Sequence, residues 1–446
     1  MKIIQSSEFD SYWKKQSIQA EDNKTEKIVK KIIADVRKNG DTAVRKYASK
    51  FDKSSPQELE VPLSFAKTAY EKLRADDPAL ADALEYTAKN IMAFSQKQKE
   101  QFANFEYEMD KGLFTGQRVI PVTRAAVYIP GGRFPLFSSV LMCMIPAFCA
   151  GVEEVILSSP PAEDGIPDKR TLAAAIIAAE ASGNKNFKIF AIGGAQAIAA
   201  LALGTETVPR VDVIAGPGNK FVAAAKRILF GEVGIDFIAG PSDVLVISDG
   251  ASSQVKSTGE AAEFAAADML AQAEHDPDAR ARALVPTMEF ANQIAAAIEW
   301  QIKKLPTEKT ARASLDNGGL IVVYKNKEEA IRISNKIAPE HLEIHTSDAE
   351  SWKADLKNYG SLFSGALCAE ALGDYSAGVN HTLPTSSSAR FTGGLSVRHF
   401  LKTVTTLRCT SGEGFEKARK AAEIIARAEG LAAHAQSAAL RQVADS

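Results

Sequence analysis

The sequence predicts an α/β fold with two doubly wound layers of parallel strands and helices, a helical N-terminal segment and an extended helical C-terminal tail. Three observations lead to this prediction. Short β-branched runs end in glycine or proline, Ala-rich helical stretches follow them, and the chain has 446 residues. Since a single hydrophobic core stops growing at about 250 to 300 residues, we expect at least two domains.

The predicted elements follow in chain order. Apolar residues recur at helical spacing from Ile28 to Val36, and Asn39-Gly40 is a helix stop signal, so the first hundred residues are mostly helical. From Arg124 the pattern changes to four βα units, AAVYIPGG, EEVILSSPP, KIFAIGG and VDVIAGPG. These units predict a smaller, Rossmann-like domain over residues 125–240.

A second series of strands begins after residue 240. The runs VLVISD, ALVPT, GLIVVYKN and LEIHT alternate with helical stretches and predict another Rossmann-like layer system. We therefore group residues 28–124 and 241–395 in a larger α/β domain, with residues 1–27 as the helical N-terminal segment. Residues 396–446 are expected to form the helical tail, because Ala-rich helical spacing is found there.

Composition and charge exclude several classes of function. The chain carries 53 basic and 55 acidic residues, a net charge of −2, and no long basic block, so nucleic-acid binding is not expected. The uncharged stretch from Pro135 to Val152 contains two serines and Pro146 and is interpreted as a buried crossover helix, so no membrane span is expected. The N-terminus has no signal-peptide pattern and the four cysteines have no CxxC spacing, which favours the cytoplasm.

Three glycine turns fall at the carboxyl ends of predicted strands. They are Gly131-Gly132, Gly193-Gly194 and the segment Gly216-Pro217-Gly218-Asn219. Ligands of parallel sheets bind at this edge, where backbone N–H groups face a crevice. None of the turns has GxGxxG spacing, so a cofactor site and simple tight βα turns remain equally open from glycine alone.

Several of the six histidines lie close in the sequence to carboxylate or amide side chains that could bind a metal or transfer protons. Gln272 and His275 are three residues apart at a predicted helix end, which suits a metal but also describes a solvated cap. Glu340 and His341 precede a strand and are the two residue types best suited to proton transfer near neutral pH. His345 follows in that strand and is interpreted as structural.

Two further segments contain candidate polar residues. Asp374 and His381 lie in GDYSAGVNHTLPT, a segment with glycines and a proline that predict irregular structure. Its many polar residues indicate a functional role more than core packing. Glu429 and His434 lie in EGLAAH near the C-terminus, where a surface tail is the default interpretation.

Taken together, these motifs resemble the histidinol dehydrogenase family. The resemblance runs from about residue 28 to Arg441 and rests on VYIPGG, GGAQAIAALALGT, VIAGPGNKFVAAAKR, IDFIAGPSDVLVISD, AQAEHD, APEHLEI, GDYSAGVNHTLPT and EGLAAH. Such an ordered set is far more specific than one short pattern. It implies a zinc- and NAD-dependent enzyme of the last two steps of histidine biosynthesis.

The resemblance also implies roles for individual residues. The implied zinc ligands are Gln272, His275, Asp374 and His434, and the implied catalytic pair is Glu340 and His341. The implied substrate contacts are Ser242, Gln272, His275, His341, Asp374, His381, Glu429 and His434. The implied NAD contacts are Tyr128, Gln196 and Asn219.

The implied reaction is a four-electron oxidation of a primary alcohol to a carboxylate by two NAD in succession. His341 would take the alcohol proton, and Glu340 would activate water for attack on the aldehyde. Glu429 would pair with the substrate ammonium group. The resemblance further implies a homodimer, in which the residues matching His381, Glu429 and His434 complete the site of the partner.

Two alternatives keep the same fold. Related dehydrogenases oxidise other alcohols such as sulfopropanediol, and Arg133, Arg390, Arg398 and His399 could serve an anionic head group or could lie at the surface. A zinc-bearing binding protein would not need the Glu340-His341 pair. A phosphate-transferring α/β protein would need a P-loop or a basic cluster, which the sequence lacks.

Overall fold

The structure is a computed structural model that describes residues 1–16, 23–54, 58–131, 135–238 and 240–441. The strands are β1 (Lys2–Gln5), β2 (Glu60–Val61), β3 (Phe105–Asp110), β4 (Leu113–Pro121), β5 (Arg124–Tyr128), β6 (Glu154–Ser159), β7 (Phe187–Ala191), β8 (Val213–Ala215), β9 (Gly234–Ile235), β10 (Asp243–Ser248), β11 (Arg280–Val285), β12 (Leu320–Val323), β13 (His341–His345), β14 (Ser361–Ser364) and β15 (Leu401–Cys409). The helices are α1 (Ser6–Gln16), α2 (Asn23–Phe51), α3 (Leu63–Asp76), α4 (Pro78–Lys99), α5 (Ser138–Ala150), α6 (Lys169–Ser182), α7 (Gly194–Leu203), α8 (Lys220–Leu229), α9 (Thr258–Ala273), α10 (Met288–Gln301), α11 (Glu308–Gly318), α12 (Lys327–Ile337), α13 (Glu350–Lys353), α14 (Glu370–Tyr375), α15 (Glu413–Ala428) and α16 (Ala432–Ala439).

Two six-stranded sheets organise the fold, which confirms the predicted α/β class. The first sheet has the order β2-β7-β6-β5-β8-β9, in which only β2 is antiparallel to its neighbour. The second sheet has the order β1-β12-β11-β10-β13-β14 and is parallel throughout. In each sheet the strand order reverses once, between β5 and β8 in the first and between β10 and β13 in the second.

Helices cover both faces of both sheets. Alternate residues of β5 show this, because Ala125 and Val127 pack in one apolar cluster with α4, α5 and α6, whereas Ala126 and Tyr128 pack in another with α2, α7 and α8. The second sheet is divided in the same way between α9, α10 and α11 on one face and α1 and α12 on the other. Burial on both faces explains the nearly continuous apolar runs of these strands.

The packing of the N-terminal helices differs from the predicted grouping of residues 28–124 with 241–395. The kinked helix α2 packs on α7 and α8, α3 packs on α6, and α4 packs on α5, all of them around the first sheet. The first strand and helix, in contrast, belong to the second sheet, where β1 pairs with β12 and Phe9 is buried. An apolar helix face requires a covering layer, but its periodicity does not specify which sheet provides it.

A third, antiparallel sheet corrects the prediction of a helical C-terminal tail over residues 396–446. It has the order β15-β4-β3, and β15 pairs with β4 along its whole length. The strand sequence LKTVTTLRC is exposed or only partly buried, so it lacks the apolar alternation that identifies a strand. The helices α15 and α16 follow this sheet, as expected for the end of the tail.

Helix α5 occupies the place predicted for a buried crossover helix. All thirteen of its residues are buried, and it packs between β5, β6 and the helices α4 and α6. Within the described part of the chain, none of the helices has the length and apolarity needed to cross a membrane.

A buried ion pair holds the turn that follows β8. Lys226 Nζ donates to Asp236 Oδ1 and, at 3.0 Å, to the carbonyl oxygen of Gly216. Asp236 in turn accepts from the backbone N–H of Gly216 at 2.8 Å and of Phe237 at 2.7 Å. Both side chains are almost fully buried, so each charge depends on the other for compensation.

We therefore predict that Asp236→Ala lowers the free energy of unfolding by about 3–5 kcal/mol, because it leaves the Lys226 charge buried without its partner. The control is Glu232→Ala, which breaks the exposed ion pair with Arg37 and should cost less than about 1 kcal/mol. Urea denaturation of both variants measures the difference. Equal losses in the two variants would contradict the prediction.

Candidate active site

A cavity of about 540 Å³ lies where the two six-stranded sheets face each other. The first sheet contributes residues that follow its strands, such as Pro130 after β5 and Asn219 after β8. The second sheet contributes Ser242 and Glu340, which immediately precede β10 and β13. The carboxyl edge of one sheet and the amino edge of the other therefore meet in one cavity.

The turn after β8 forms the wall of the cavity on the side of the first sheet. Gly216 has φ +111°, and a Cβ there would lie 2.2 Å from the carbonyl oxygen of Tyr128, so only glycine fits. Asn219 caps α8 by accepting from the backbone N–H of Phe221 at 3.0 Å and of Val222 at 3.2 Å. The capped N-terminus of α8 lies at this wall, where the helix dipole favours negatively charged groups.

Tyr128 in β5 and Gln196 in α7 are more deeply buried than Asn219, which is exposed. Both are buried, and the backbone N–H of Gly194 donates to Tyr128 Oη at 3.0 Å. The Nε2 atom of Gln196 is buried without a hydrogen-bond partner among the described residues. The structure thus places two of the three implied NAD residues around the Gly193-Gly194 turn and the third at the cavity wall.

On the side of the second sheet, Glu340 is fixed by exchange of hydrogen bonds with Asp243. The backbone N–H of Asp243 donates to Glu340 Oε2 at 2.9 Å, and the backbone N–H of Glu340 donates to Asp243 Oδ1 at 3.0 Å. Arg282 donates to the other oxygen of Asp243 at 2.7 Å, within the core. Burial raises the pKa of Glu340 to about 8.

His341 is buried between carboxyl groups. Its Nε2 lies 3.3 Å from Asp374 Oδ1, and its Nδ1 lies 3.8 Å from Glu370 Oε1 and 4.0 Å from Glu340 Oε2. Burial alone would lower the pKa of His341, but the surrounding negative charge of Glu370, Asp374 and Glu340 raises it well above its ordinary value.

A set of potential metal ligands stands next to His341. Ligand atoms of His275, Glu370 and Asp374 all lie within 4.8 Å of one another. Gln272, in the last turn of α9, lines the same cavity, and its buried Oε1 has no hydrogen-bond partner among the described residues. Oxygen and nitrogen donors of these types fit Zn²⁺, and the unpaired amide oxygen is consistent with a place for a cation.

His381 and Ser242 complete the cavity wall. The Nδ1 atom of His381 lies 2.7 Å from the carbonyl oxygen of Asp374, and its Nε2 lies 2.8 Å from Ser139 Oγ. Burial lowers the pKa of His381, which favours the neutral ring. Ser242 stands at the entrance to β10, directly before Asp243.

Other candidate residues lie elsewhere. Glu429 and His434 are exposed on the unit formed by the third sheet with α15 and α16, and they do not line the cavity. Arg390 donates to the carbonyl oxygen of Lys336, Arg398 donates to Thr392 Oγ1, and His399 bonds Ser396 within its own turn, so none faces the cavity. Arg133 lies outside the described residues.

Sequence reasoning missed Glu370, Asp243 and Ser139. Glu370 precedes Asp374 by four residues, one helical turn, so the short helix α14 places both carboxyl groups on the same side. That spacing was a usable signal for Glu370. Asp243 and Ser139 had none, because each acts on a residue about 100 or more positions away.

A second buried polar cluster lies behind the first. His345 Nε2 is 3.1 Å from Glu343 Oε2 and 3.9 Å from Asp268 Oδ2. Burial raises the pKa of Asp268 to about 8 and that of Glu343 to about 7. Glu343 Oε1 accepts from the backbone N–H of Glu370 at 2.9 Å, which joins this cluster to the start of α14.

Comparison with known proteins identifies the family to which this site belongs. The family model described as histidinol dehydrogenase matches residues 15–442. The chain belongs to the histidinol dehydrogenase family. This finding confirms the resemblance expected from the eight ordered motifs, and it makes the protein an oxidoreductase by family.

Individual histidinol dehydrogenases match nearly the whole chain. That of Acinetobacter baylyi is 44% identical over 418 residues, which covers 93% of this chain and 92% of that protein. That of Thermus thermophilus is 43% identical over 422 residues and covers 94% and 95%, respectively. The crystal structure of the histidinol dehydrogenase from Elizabethkingia anophelis superposes with a TM-score of 0.86 at 35% identity and covers 97% of this chain and 95% of that one.

Proposed function

We propose that the protein oxidises L-histidinol to L-histidine through histidinal, as a step of histidine biosynthesis. The overall reaction converts the alcohol, two NAD⁺ and water into the carboxylate, two NADH and three protons. The observation that carries the proposal is the buried Glu340-His341 pair beside the Gln272, His275 and Asp374 donors, in a chain of the histidinol dehydrogenase family.

The metal proposed for this site is zinc, held by Gln272, His275, Asp374 and His434. When bound, zinc would orient the substrate and polarise its oxygen. The first three residues stand around the cavity, and the fourth would come from a second copy of the chain. The substrate contacts that we propose are Ser242, Gln272, His275, His341, Asp374, His381, Glu429 and His434.

His341 is the proposed base for the alcohol proton. Its pKa is high because Asp374 and Glu370 surround it with negative charge. A cation held by Asp374 would offset part of that negative charge, which would favour the neutral ring that can accept a proton. The unprotonated ring nitrogen of His341 accepts the alcohol proton as hydride is transferred to the nicotinamide.

Glu340 is the proposed base for the second step. Its carboxylate takes a proton from the water that attacks the aldehyde carbon, and the resulting hydrate gives a second hydride to a fresh NAD⁺. The two hydrogen bonds between Glu340 and Asp243 hold the group in place at the cavity edge. Glu340 and His341 are both buried, so bulk water has limited access to an aldehyde bound beside them.

The two sheets correspond to two proposed Rossmann-like domains. Their shared strand order and the helices on both faces support this division. NAD is proposed to bind the first sheet through Tyr128, Gln196 and Asn219, with the zinc and catalytic residues on the second.

A homodimer with shared sites accounts for the position of the C-terminal unit. Glu429 and His434 are exposed and away from the cavity of their own chain. The same unit carries exposed apolar side chains, including Tyr107, Leu407 and Ile424. Their exposure supports an interface with a second copy, to which the unit would bring Glu429 for the substrate ammonium group and His434 for the metal.

We place the enzyme in the cytoplasm. All four cysteines are free, and those in α5 are buried as thiols. The proposal involves no nucleic acid and no membrane. The family match favours histidinol over sulfopropanediol, and it favours an enzyme over a zinc-bearing binding protein.

The first test is NADH production with L-histidinol, sulfopropanediol and simple primary alcohols. We expect turnover of histidinol with two NADH per substrate, loss of activity after chelation and recovery with Zn²⁺. Gln272→Ala should lower the zinc affinity measured by competition with a chelating dye. Failure to oxidise histidinol, or full activity in metal-free protein, would refute the proposal.

The two catalytic residues should separate kinetically. Glu340→Gln should slow acid formation from histidinal by about 10²–10⁴-fold and slow the first hydride transfer less, whereas His341→Asn should impair both steps. In the wild type, acid formation should rise with pH through about 8, because the carboxylate must lose its proton to act as a base. Stopped-flow measurement of NADH formation from histidinol and from histidinal tests this division. Equal losses of rate in the two steps for Glu340→Gln would contradict it.

Subunit complementation tests the shared site. His434→Ala and His341→Asn should each be inactive alone, but a mixed dimer contains one site with both native residues. After subunit exchange at equal concentrations, we expect about one quarter of the wild-type activity, since about half of the dimers are mixed and each has one intact site. Wholly inactive mixed dimers, verified by native mass spectrometry, would exclude sharing.

A further inference from the structure

Asp52, immediately after α2, reaches the carboxyl edge of the first sheet. The backbone N–H of Gly193 lies 3.4 Å from Asp52 Oδ2. A Cβ added at Gly193 would lie 2.6 Å from both Asp52 Oδ1 and Pro160 Cγ, so the three residues meet at one point. Because Pro160 follows β6 and Gly193 follows β7, the carboxyl group lies over the ends of these two strands.

The charge of Asp52 has little compensation in the protein alone. Asp52 forms no ion pair with any residue in the described ranges. The hydrogen bond to its carboxylate is the long one from Gly193, and the nearby side chain of Gln196 adds a smaller stabilisation of the charged form. Burial raises its pKa to about 6, so the group is ionised at neutral pH. A half-buried carboxylate with few donors is stabilised when a ligand supplies hydroxyl groups.

The direction of the cofactor follows from the cavity. The nicotinamide must approach His341, and the cavity that contains His341 is lined on the first sheet by residues after β5 and β8. A dinucleotide that crosses the point of strand-order reversal therefore extends its adenosine half toward β6 and β7. Asp52 lies at that end, beside Gln196.

In Rossmann-type sheets an acidic residue after the second strand accepts hydrogen bonds from the adenosine ribose. The second strand of the consecutive series here is β6, and the two residues directly after it are Pro160 and Pro161. The first acids of that loop, Glu163 and Asp164, are exposed. Asp52 reaches the same edge from a helix more than 100 residues earlier in the chain. The lack of a side chain at Gly193 permits this approach.

We propose that Asp52 accepts hydrogen bonds from the adenosine ribose hydroxyls of NAD and, through its negative charge, excludes the 2′-phosphate of NADP. This inference rests on the proposed function, because it assumes that the first sheet binds the dinucleotide. It assigns cofactor selectivity to a residue outside the proposed Tyr128, Gln196 and Asn219 contacts. The basis of the exclusion is repulsion between like charges in a partly buried site.

The test uses full-length, zinc-loaded protein and fluorescence titration with NADH and NADPH. Asp52→Asn keeps the size of the side chain and removes its charge. We expect NADH to bind about 10-fold to 100-fold more weakly and the preference for NADH over NADPH to fall by at least that factor. The matched control is Glu163→Gln, an exposed acid in the loop after β6, which should leave both affinities within about twofold.

A measurement on the wild type removes dependence on the folding of the variant. An NADH analogue without the 2′-hydroxyl of the adenosine ribose should bind wild-type protein about 10-fold more weakly than NADH, and Asp52→Ala, which has no side-chain acceptor, should bind the two equally. Unchanged selectivity in Asp52→Asn, together with equal wild-type affinity for the analogue and NADH, would overturn the inference while leaving the proposed function intact. If the wild type binds neither NADH nor NADPH, the proposed function fails first.

Discussion

The concentration of buried carboxyl groups around His341 is the constraint on which the site depends. Glu340, Glu370 and Asp374 surround the imidazole of His341. Because these side chains are buried, water does not stabilise their charged forms. Such a cluster is stable only when protons or a cation balance it. The same cause therefore raises the pKa of Glu340 and creates a suitable environment for a metal ion.

The second sheet supports this cluster through one ion pair. Arg282 donates to Asp243 Oδ2, and the backbone N–H of Glu340 donates to Asp243 Oδ1. The backbone N–H of Asp243 donates in return to the carboxyl group of Glu340. Arg282 belongs to β11, Asp243 to β10, and Glu340 directly precedes β13, so three neighbouring strands fix the position of the proposed catalytic pair. The geometry thus comes from the sheet framework more than from the loop around Glu340.

The first sheet supplies a complementary edge. Lys226 and Asp236 bind the backbone of Gly216 in the turn after β8. Asn219 and the start of α8 face the cavity. Helix α2 adds Asp52 to the same edge from outside the consecutive βα units. Residues far apart in the chain therefore meet where the carboxyl edge of one sheet faces the amino edge of the other.

The sequence by itself determined the α/β class, the family and the residues suited to proton transfer, because strand runs, glycine turns and ordered motifs are local patterns. It could indicate Glu340-His341 and Gln272-His275 because each pair is close in the chain. It could not indicate that α2 covers the first sheet, that residues 401–409 form a strand, or that Asp243 anchors Glu340. Those features depend on contacts between distant segments, and only the folded chain decides which apolar face, strand edge or charge finds which partner.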